Sequence, residues 1–249
     1  MTEQEVYTQF MDWLKRTWIG LPDSEFVEEA VRARFNAEEA EFLTGFPFRK
    51  TPLEDLATLK GMPEEELVKK LDPMAIKGLV WKGTKKGKVR YGLNDVFFTL
   101  YRSAFWPMLA NDHMKAVSVP ANQYMLNGML AGFSKSEHQG LRTLPIDKTI
   151  EAGTTVRPYE DVVKILDGFE YFTVSACPCR QRKNLDPAVE NSKKPLEVCL
   201  HFDDLGHYIV DNEMGREITR EETEAILLKS AKAGLVHGMS AWQERPDTI

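Results

Sequence analysis

The strongest constraint on how this 249-residue chain folds is the placing of its three cysteines, two of which flank a proline. Ser175-Ala176-Cys177-Pro178-Cys179-Arg180 and, further on, Val198-Cys199-Leu200-His201-Phe202 hold all of them. A folded core uses cysteine as a small apolar residue at scattered positions, and packing gives no reason for two to recur at a spacing of two beside a proline. Pro178 fixes its own backbone angle and keeps Cys177 out of the helical region, so the pair is predicted to lie on a turn that aims both sulfurs at one ligand. Sulfurs from two separated loops are then expected to converge on a common inorganic centre.

Composition narrows the class. Hydrophobic residues make up 43% of the chain and charged residues 28%, as in a soluble globular protein of one large or two modest domains. The formal charge of -6 argues against nucleic-acid binding through overall charge. No apolar run approaches the roughly 20 residues of a membrane span, and the opening Thr2-Glu3-Gln4-Glu5 does not read as a signal peptide. The expectation is a cytoplasmic protein without a membrane span. An odd cysteine count makes no disulfide framework, and in a reducing cytosol clustered thiols hold metal or do redox work.

The fold class predicted is α+β, with a mainly helical N-terminal part followed by a compact α+β unit bearing the cysteines. Residues 1–35 carry Val6, Phe10, Trp13, Leu14, Trp18, Phe26, Ala30 and Val31 at helical spacing, broken at Gly20-Leu21-Pro22. Residues 36–110 form a winged-helix-like module and a connecting helix. Asn36 caps one helix, Thr51-Pro52 with Glu54 reads as a capping box for a second, and Met62-Pro63 opens a third that stops at Gly78. Leu79-Val80-Trp81 and Val89-Arg90-Tyr91-Gly92-Leu93 then flank a lysine-rich hairpin tip. Phe97, Tyr101 and Phe105, at steps of four, predict a buried connecting helix up to Pro107. Residues 111–145 read as a linker or cavity-lining segment. Residues 146–249 are the cysteine-containing domain, with Ile150–Val156 extended, Tyr159–Leu166 helical after Pro158, and a strand over Phe169–Ser175 leading to Cys177. Thr219 and Glu222 box a last helix closed by Gly234.

Thiolates are soft ligands that suit zinc, mononuclear iron or an iron–sulfur cluster better than magnesium or calcium. Cys177, Cys179 and Cys199 are the candidate metal ligands, and His201, two residues after Cys199, is the nearest candidate for a fourth. His207 and His237 are less constrained ligand or pocket candidates. Arg180 and Arg182 would offset the charge of a thiolate cluster and donate to its sulfurs. Competing readings are one buried thiol beside a pair on a tight turn, and a strained, oxidising dithiol.

Several stretches carry a resemblance. Asp72-Pro73-Met74-Ala75-Ile76-Lys77-Gly78-Leu79-Val80, Val156-Arg157-Pro158-Tyr159-Glu160, the Cys-Pro-Cys-Arg segment, and Gly215-Arg216-Glu217-Ile218-Thr219-Arg220-Glu221-Glu222 through Ala233-Gly234-Leu235-Val236-His237 resemble a family of 4Fe-4S ferredoxin-type proteins from anaerobic bacteria and archaea. The resemblance covers most of residues 36–249. It implies a 4Fe-4S cluster held by Cys177, Cys179 and Cys199, with His201 or an exogenous group completing the set. Such proteins tend to continue into a cysteine-rich tail, which implies that this sequence, stopping at Pro246-Asp247-Thr248-Ile249, is a truncated or shortened member. Ser192 stands where the family often has another cysteine.

The leading expectation is an iron–sulfur protein that moves electrons or serves as redox accessory of a larger anaerobic enzyme complex, with the winged helix as a docking module. DNA binding by that module, as in a metal- or redox-sensing regulator, is opposed by Glu64-Glu65-Glu66 at the start of its third helix. An enzyme with an open three-thiolate metal site under the aromatic segment 97–129 is the other alternative; no catalytic residue stands out.

Overall fold

The structure is a computed structural model that describes residues 1–17, 19–130, 141–144, 162–240 and 249. The expectations for Trp18, for residues 131–140 and 145–161, which include the extended segment at 150–156 and the helix start at Pro158, and for residues 241–248 lie outside the described residues. Within them the class is α+β: helices predominate and the strands form small antiparallel sheets.

The chain begins with α1 (Glu3–Leu14), α2 (Val27–Arg34) and α3 (Ala37–Leu43). Thr2 and Asn36 close reciprocal capping boxes with Glu5 and Glu39, which stops α1 and α3 from fraying at their starts. β1 (Thr51–Pro52), α4 (Leu53–Lys60), α5 (Glu64–Ile76), β2 (Val80–Lys85) and β3 (Lys88–Leu93) follow, and the sheet order is β1-β3-β2. The capping box expected at Thr51 does not form. Thr51 pairs with Tyr91 and its hydroxyl donates to the Arg49 carbonyl, so Pro52 caps α4 without a side-chain bond. The hairpin is tighter than the lysine run suggested. Lys86 and Gly87, at φ 53° and 74°, make a two-residue turn of the hand that matches strand twist.

Gly78 ends α5 at φ 74°, and a Cβ there would lie 2.3 Å from the Ser103 Cβ. Only glycine allows both the left-handed backbone and the close approach of the next segment. That segment is not the buried α-helix expected. Residues Phe98–Arg102 form a π-helical turn, closed by a Ser103 N–H to Phe98 carbonyl bond of 2.9 Å, and the wider coil breaks the four-residue stripe. Phe105 is buried, whereas Phe97 and Tyr101 are half-exposed and stack on each other with centroids 5.0 Å apart.

α6 (Asp112–Tyr124) continues into a second π-helical turn at Met125–Met129. One apolar cluster then runs from Val6 to Met129, joining α1, α2 and α3 to the α4–β3 unit. Arg34 is buried inside this part, where it donates to the carbonyls of Thr99 and of Lys77, at the end of α5. Burial pulls its pKa down to about 10, and those carbonyls keep the charge tolerable.

The remaining elements are β4 (Leu141–Leu144), α7 (Val162–Ile165), β5 (Phe172–Ala176), α8 (Pro178–Leu185), β6 (Glu197–Phe202), α9 (Asp203–Asp211), β7 (Arg216–Ile218), α10 (Arg220–Lys232) and β8 (His237–Ser240). β5 is the centre of a sheet ordered β6-β5-β7, and β4 pairs with β8. Thr219 caps α10, but the Glu222 carboxylate turns to Arg216 instead of completing the box. Ile249 exchanges two backbone bonds with Leu200, of 2.9 and 3.0 Å, along β6.

Every residue of β5 is buried because both sheet faces are covered. Phe172, Val174, Leu200, Phe202 and Ile218 form one core with Leu227 of α10 and with Val162 and Leu166. Against the opposite face lies α9, held close by Gly206, where a Cβ would stand 2.8 Å from the Thr173 hydroxyl oxygen. α9 also joins the two halves of the molecule. Tyr208 stacks on Trp81 of β2 at 4.1 Å and donates to the Val80 carbonyl at 3.1 Å.

Candidate thiolate centre

β5 runs directly into the cysteines. Ala176 donates its N–H to the Trp106 carbonyl at 3.2 Å, and Cys177 donates to Leu196 at 2.7 Å. Cys177 is extended, at φ -66° and ψ 110°, as the proline after it demands. The expected turn, however, is the start of a helix. Cys177 is the N-cap of α8 and Pro178 its first residue, so Cys179 sits in the first turn. Pro178 has no N–H to offer and its φ is already helical, which makes this the one place in a helix where proline is favoured.

β6 brings the third thiol alongside. Ser175 pairs with Cys199 and Thr173 with His201, and the register slips between Ser175 and Ala176, so that Ala176 faces Glu197. A bulge at the mouth of a site re-aims the side chains beyond it. All three cysteines are free thiols; Cys179 is exposed, and Cys177 and Cys199 are partly covered.

The surroundings favour one thiolate. Tyr101 donates its hydroxyl to the Cys179 sulfur. Arg182 lies 5.1 Å over the Tyr101 ring and donates to Asn122, whose amide in turn donates to Asp186 at 2.6 Å. A hydrogen bond from the Cys177 thiol, then the Tyr101 hydroxyl, then Arg182 and Arg180 bring the Cys179 pKa down to about 6 against the opposing cost of burial. Cys177 is pushed up as the donor of that bond, by burial and by the charge of Cys179, so the pair shares one proton over a wide pH range. Burial and the Cys179 charge raise Cys199 to about 12, opposed by Arg102, Trp106 and Arg180. Its own burial, and then the negative charge of Cys179, hold the Tyr101 phenol well above its ordinary value.

Three buried donors in this region lack an acceptor among the described residues: Trp106 Nε1, Arg180 Nε and Arg182 Nε. The Trp106 indole is close enough to lower the Cys199 pKa but reaches no acceptor in hydrogen-bonding geometry. A buried donor left without a partner costs roughly 1–3 kcal/mol, so such atoms gather where something else accepts from them. Three soft sulfur donors, three arginines and an orphan indole N–H together fit a negatively charged thiolate-bound centre. The thiols feel one another's charge, yet among the described residues no group of three or more His, Cys, Asp or Glu side chains is arranged to hold a metal ion.

The histidines are placed as follows. His201 is fully buried, its Nε2 2.8 Å from the Ser175 hydroxyl and its ring edge-on to Trp106 at 4.8 Å. Burial and Arg102 hold its pKa well below the ordinary value, so it is neutral. His207 is exposed on α9 and stacks on Tyr171 at 3.7 Å, toward the other end of β5 from the cysteines. His237 lies on β8, buried, with Nε2 unpartnered and its pKa lowered by burial. Tyr101, Arg102 and Trp106 were not singled out by sequence beyond their membership of the aromatic segment. Tyr101 reaches Cys179, 78 positions later, and Arg102 and Trp106 reach Cys199, which leaves no local signal. Two open surface hollows of about 560 and 550 Å3 lie elsewhere, one beside Glu25, Glu28, Glu29 and Arg32, the other beside Tyr171, Glu217 and Arg220, and no cysteine lines either.

Compared with known proteins, the chain matches no family model, and no curated protein and no solved structure is significantly similar to it. No helix among the described residues is long and apolar enough to cross a membrane.

Proposed function

We propose that this protein binds an iron–sulfur cluster, of the 4Fe-4S kind that the sequence resemblance implies, through Cys177, Cys179 and Cys199, and that it moves electrons within a larger anaerobic redox system. One observation carries the reading. The only three cysteines of the chain, from two segments twenty residues apart, lie at the bulged end of one sheet, close enough for their charges to couple, amid arginines and three buried donors without an acceptor among the described residues. A bound cluster would supply a one-electron donor and acceptor. The protein's own part is to hold one sulfur deprotonated in advance, to offset the negative charge with Arg102, Arg180 and Arg182, and to offer the Trp106 N–H to a sulfur. Free clustered thiols suit a reducing compartment, which favours a cytoplasmic location.

The α3–β3 unit is read as a winged helix serving as scaffold and docking module. Its β2 strand is engaged by α9 through Trp81 and Tyr208, and the first turn of α5 exposes Glu64, Glu65 and Glu66, which a polyanion would repel.

The test is anaerobic preparation followed by iron and sulfide analysis and visible absorption. Iron and acid-labile sulfide in equal amounts, with a broad charge-transfer band, are expected, and Cys199→Ser should lose most of both. A colourless, iron-free protein after anaerobic reconstitution would refute the proposal, and zinc in place of iron would correct the metal.

A further inference from the structure

We propose that the thiol-bearing end of the molecule is the docking face for an acidic protein electron carrier, with Met108 and Leu109 at its apolar part and Lys183 and Lys193 on its rim. The inference rests on the thiolate-centre reading above and names its partner.

Three segments surround the thiols: residues 96–111, 176–185 and 191–196. In a chain of net charge -6 they contain no aspartate or glutamate and six cations: Arg102, Arg180, Arg182, Lys183, Lys193 and Lys194. Direct bonds tie the segments into one surface. Gln181 Nε2 donates to the Leu109 carbonyl at 3.1 Å, Ser192 N–H to Asn184 Oδ1 at 2.9 Å, and Cys177 N–H to Leu196 at 2.7 Å.

The cations divide by role. Arg102, Arg180 and Arg182 act on the sulfurs, and Lys194 is committed to the Ala233 carbonyl. Lys183 and Lys193 remain exposed, with no carboxylate partner among the described residues. Lys183 follows Cys179 by four residues on α8, so both lie on one face of that helix. Of the acids that border these segments, Asp112 pairs with Lys115 at 3.1 Å, Glu197 pairs with Arg216 at 3.1 Å and Asp186 is buried against Asn122, while Glu190 stands exposed three residues before Lys193.

Beside these cations Met108 and Leu109 are 42% and 51% exposed. Met108 is held at φ 57°, in the left-handed region that side-chain-bearing residues rarely adopt. An apolar patch beside a rim of one charge is the arrangement of a transient electron-transfer interface, where complementary charge raises the encounter rate more than the affinity. One electron leaves the reduced carrier, which is oxidised, and enters the oxidised cluster, which is reduced; no proton or bond need change hands.

The experiment uses the full chain loaded anaerobically with iron and sulfide, mixed in stopped flow with a reduced acidic ferredoxin as probe. The second-order rate should fall about 10-fold or more from low to high salt. Lys183→Glu with Lys193→Glu should slow it about 10-fold at low salt, with iron content and visible spectrum unchanged. Leu109→Asp, on the apolar part, should slow it as well. A rate indifferent to salt and to the lysine changes overturns the inference while leaving the cluster reading intact. Lysine-dependent binding of duplex DNA in the same buffer, with no effect on the ferredoxin reaction, also overturns it. Failure to load iron at all removes the reading on which it rests.

Discussion

Tyr101→Phe isolates one oxygen at the candidate centre. The ring keeps its stack on Phe97 at 5.0 Å and its place 5.1 Å beneath the Arg182 guanidinium, so only the hydroxyl that donates to Cys179 is lost. A hydrogen bond to a charged acceptor contributes about 1.5–3 kcal/mol, and each pKa unit corresponds to about 1.4 kcal/mol, so the thiolate should be weakened by roughly 1–2 units. The Cys177–Cys179 pair first loses its proton at about 6, held there by the Cys177 thiol and then by Tyr101. In the variant that midpoint should rise to roughly 7–8. The sign follows from the charge being on the unprotonated form. Removing a donor destabilises the anion, so the variant is largely thiol at neutral pH where the parent is largely thiolate. The assay is the ultraviolet absorbance of the thiolate in the reduced, metal-free protein as pH is raised, with iodoacetamide labelling followed by mass spectrometry to assign the site. Labelling at pH 7 should fall several-fold and should concentrate on Cys179 in the parent. A midpoint that stays put, or labelling that falls on Cys199 instead, would show that the Tyr101 hydroxyl does not hold this charge.

Other consequences are direct. Tyr208→Phe removes the bond to the Val80 carbonyl at the junction of the two halves, and should cost about 1 kcal/mol and lower Tm by roughly 2–4 °C in a thermal melt. Gly78→Ala forces a Cβ into the left-handed region and to within 2.3 Å of Ser103 Cβ; a loss of roughly 2–5 kcal/mol in urea unfolding is expected, partly restored by adding Ser103→Gly. Lys85→Ala with Lys86→Ala, at the exposed hairpin tip, should leave both stability and cofactor content unchanged, and the parent should show no salt-dependent affinity for duplex DNA; such an affinity, lost in this variant, would replace the scaffold role with a regulator's.

Much of the secondary structure was legible because its causes are local. Asn36 caps, Gly78 and Gly234 stop helices, and the apolar spacing of α1 and α5 marks buried faces, each within a few residues of its effect. The strand leading to Cys177 was legible for the same reason. What misled was chemistry that another segment claimed first. Thr51 was taken into β3's ladder and Glu222 by Arg216, and the stripe through Phe97 and Phe105 was broken by a wider coil. α8 was hidden because the proline that bars Cys177 from a helix is itself well suited to start the next one. α9 was hidden because it follows β6 without a linking turn, at an Asp203 held at φ 46°.

At the candidate centre the division is sharper. Sequence spacing by itself singled out Cys177, Cys179 and Cys199 and the arginines that follow as candidates, since thiols and guanidinium groups carry their chemistry wherever they stand. Only tertiary structure decided which sulfur is poised as the thiolate. That depends on the Cys177 thiol and the Tyr101 hydroxyl bonding to Cys179, on the β-bulge beside Cys199, and on Cys199 being partly covered where Cys179 is exposed. A pKa is set by whatever lies within a few ångströms: Cys177, Arg180 and Arg182 are neighbours of Cys179 in sequence, whereas Tyr101 arrives from 78 residues away.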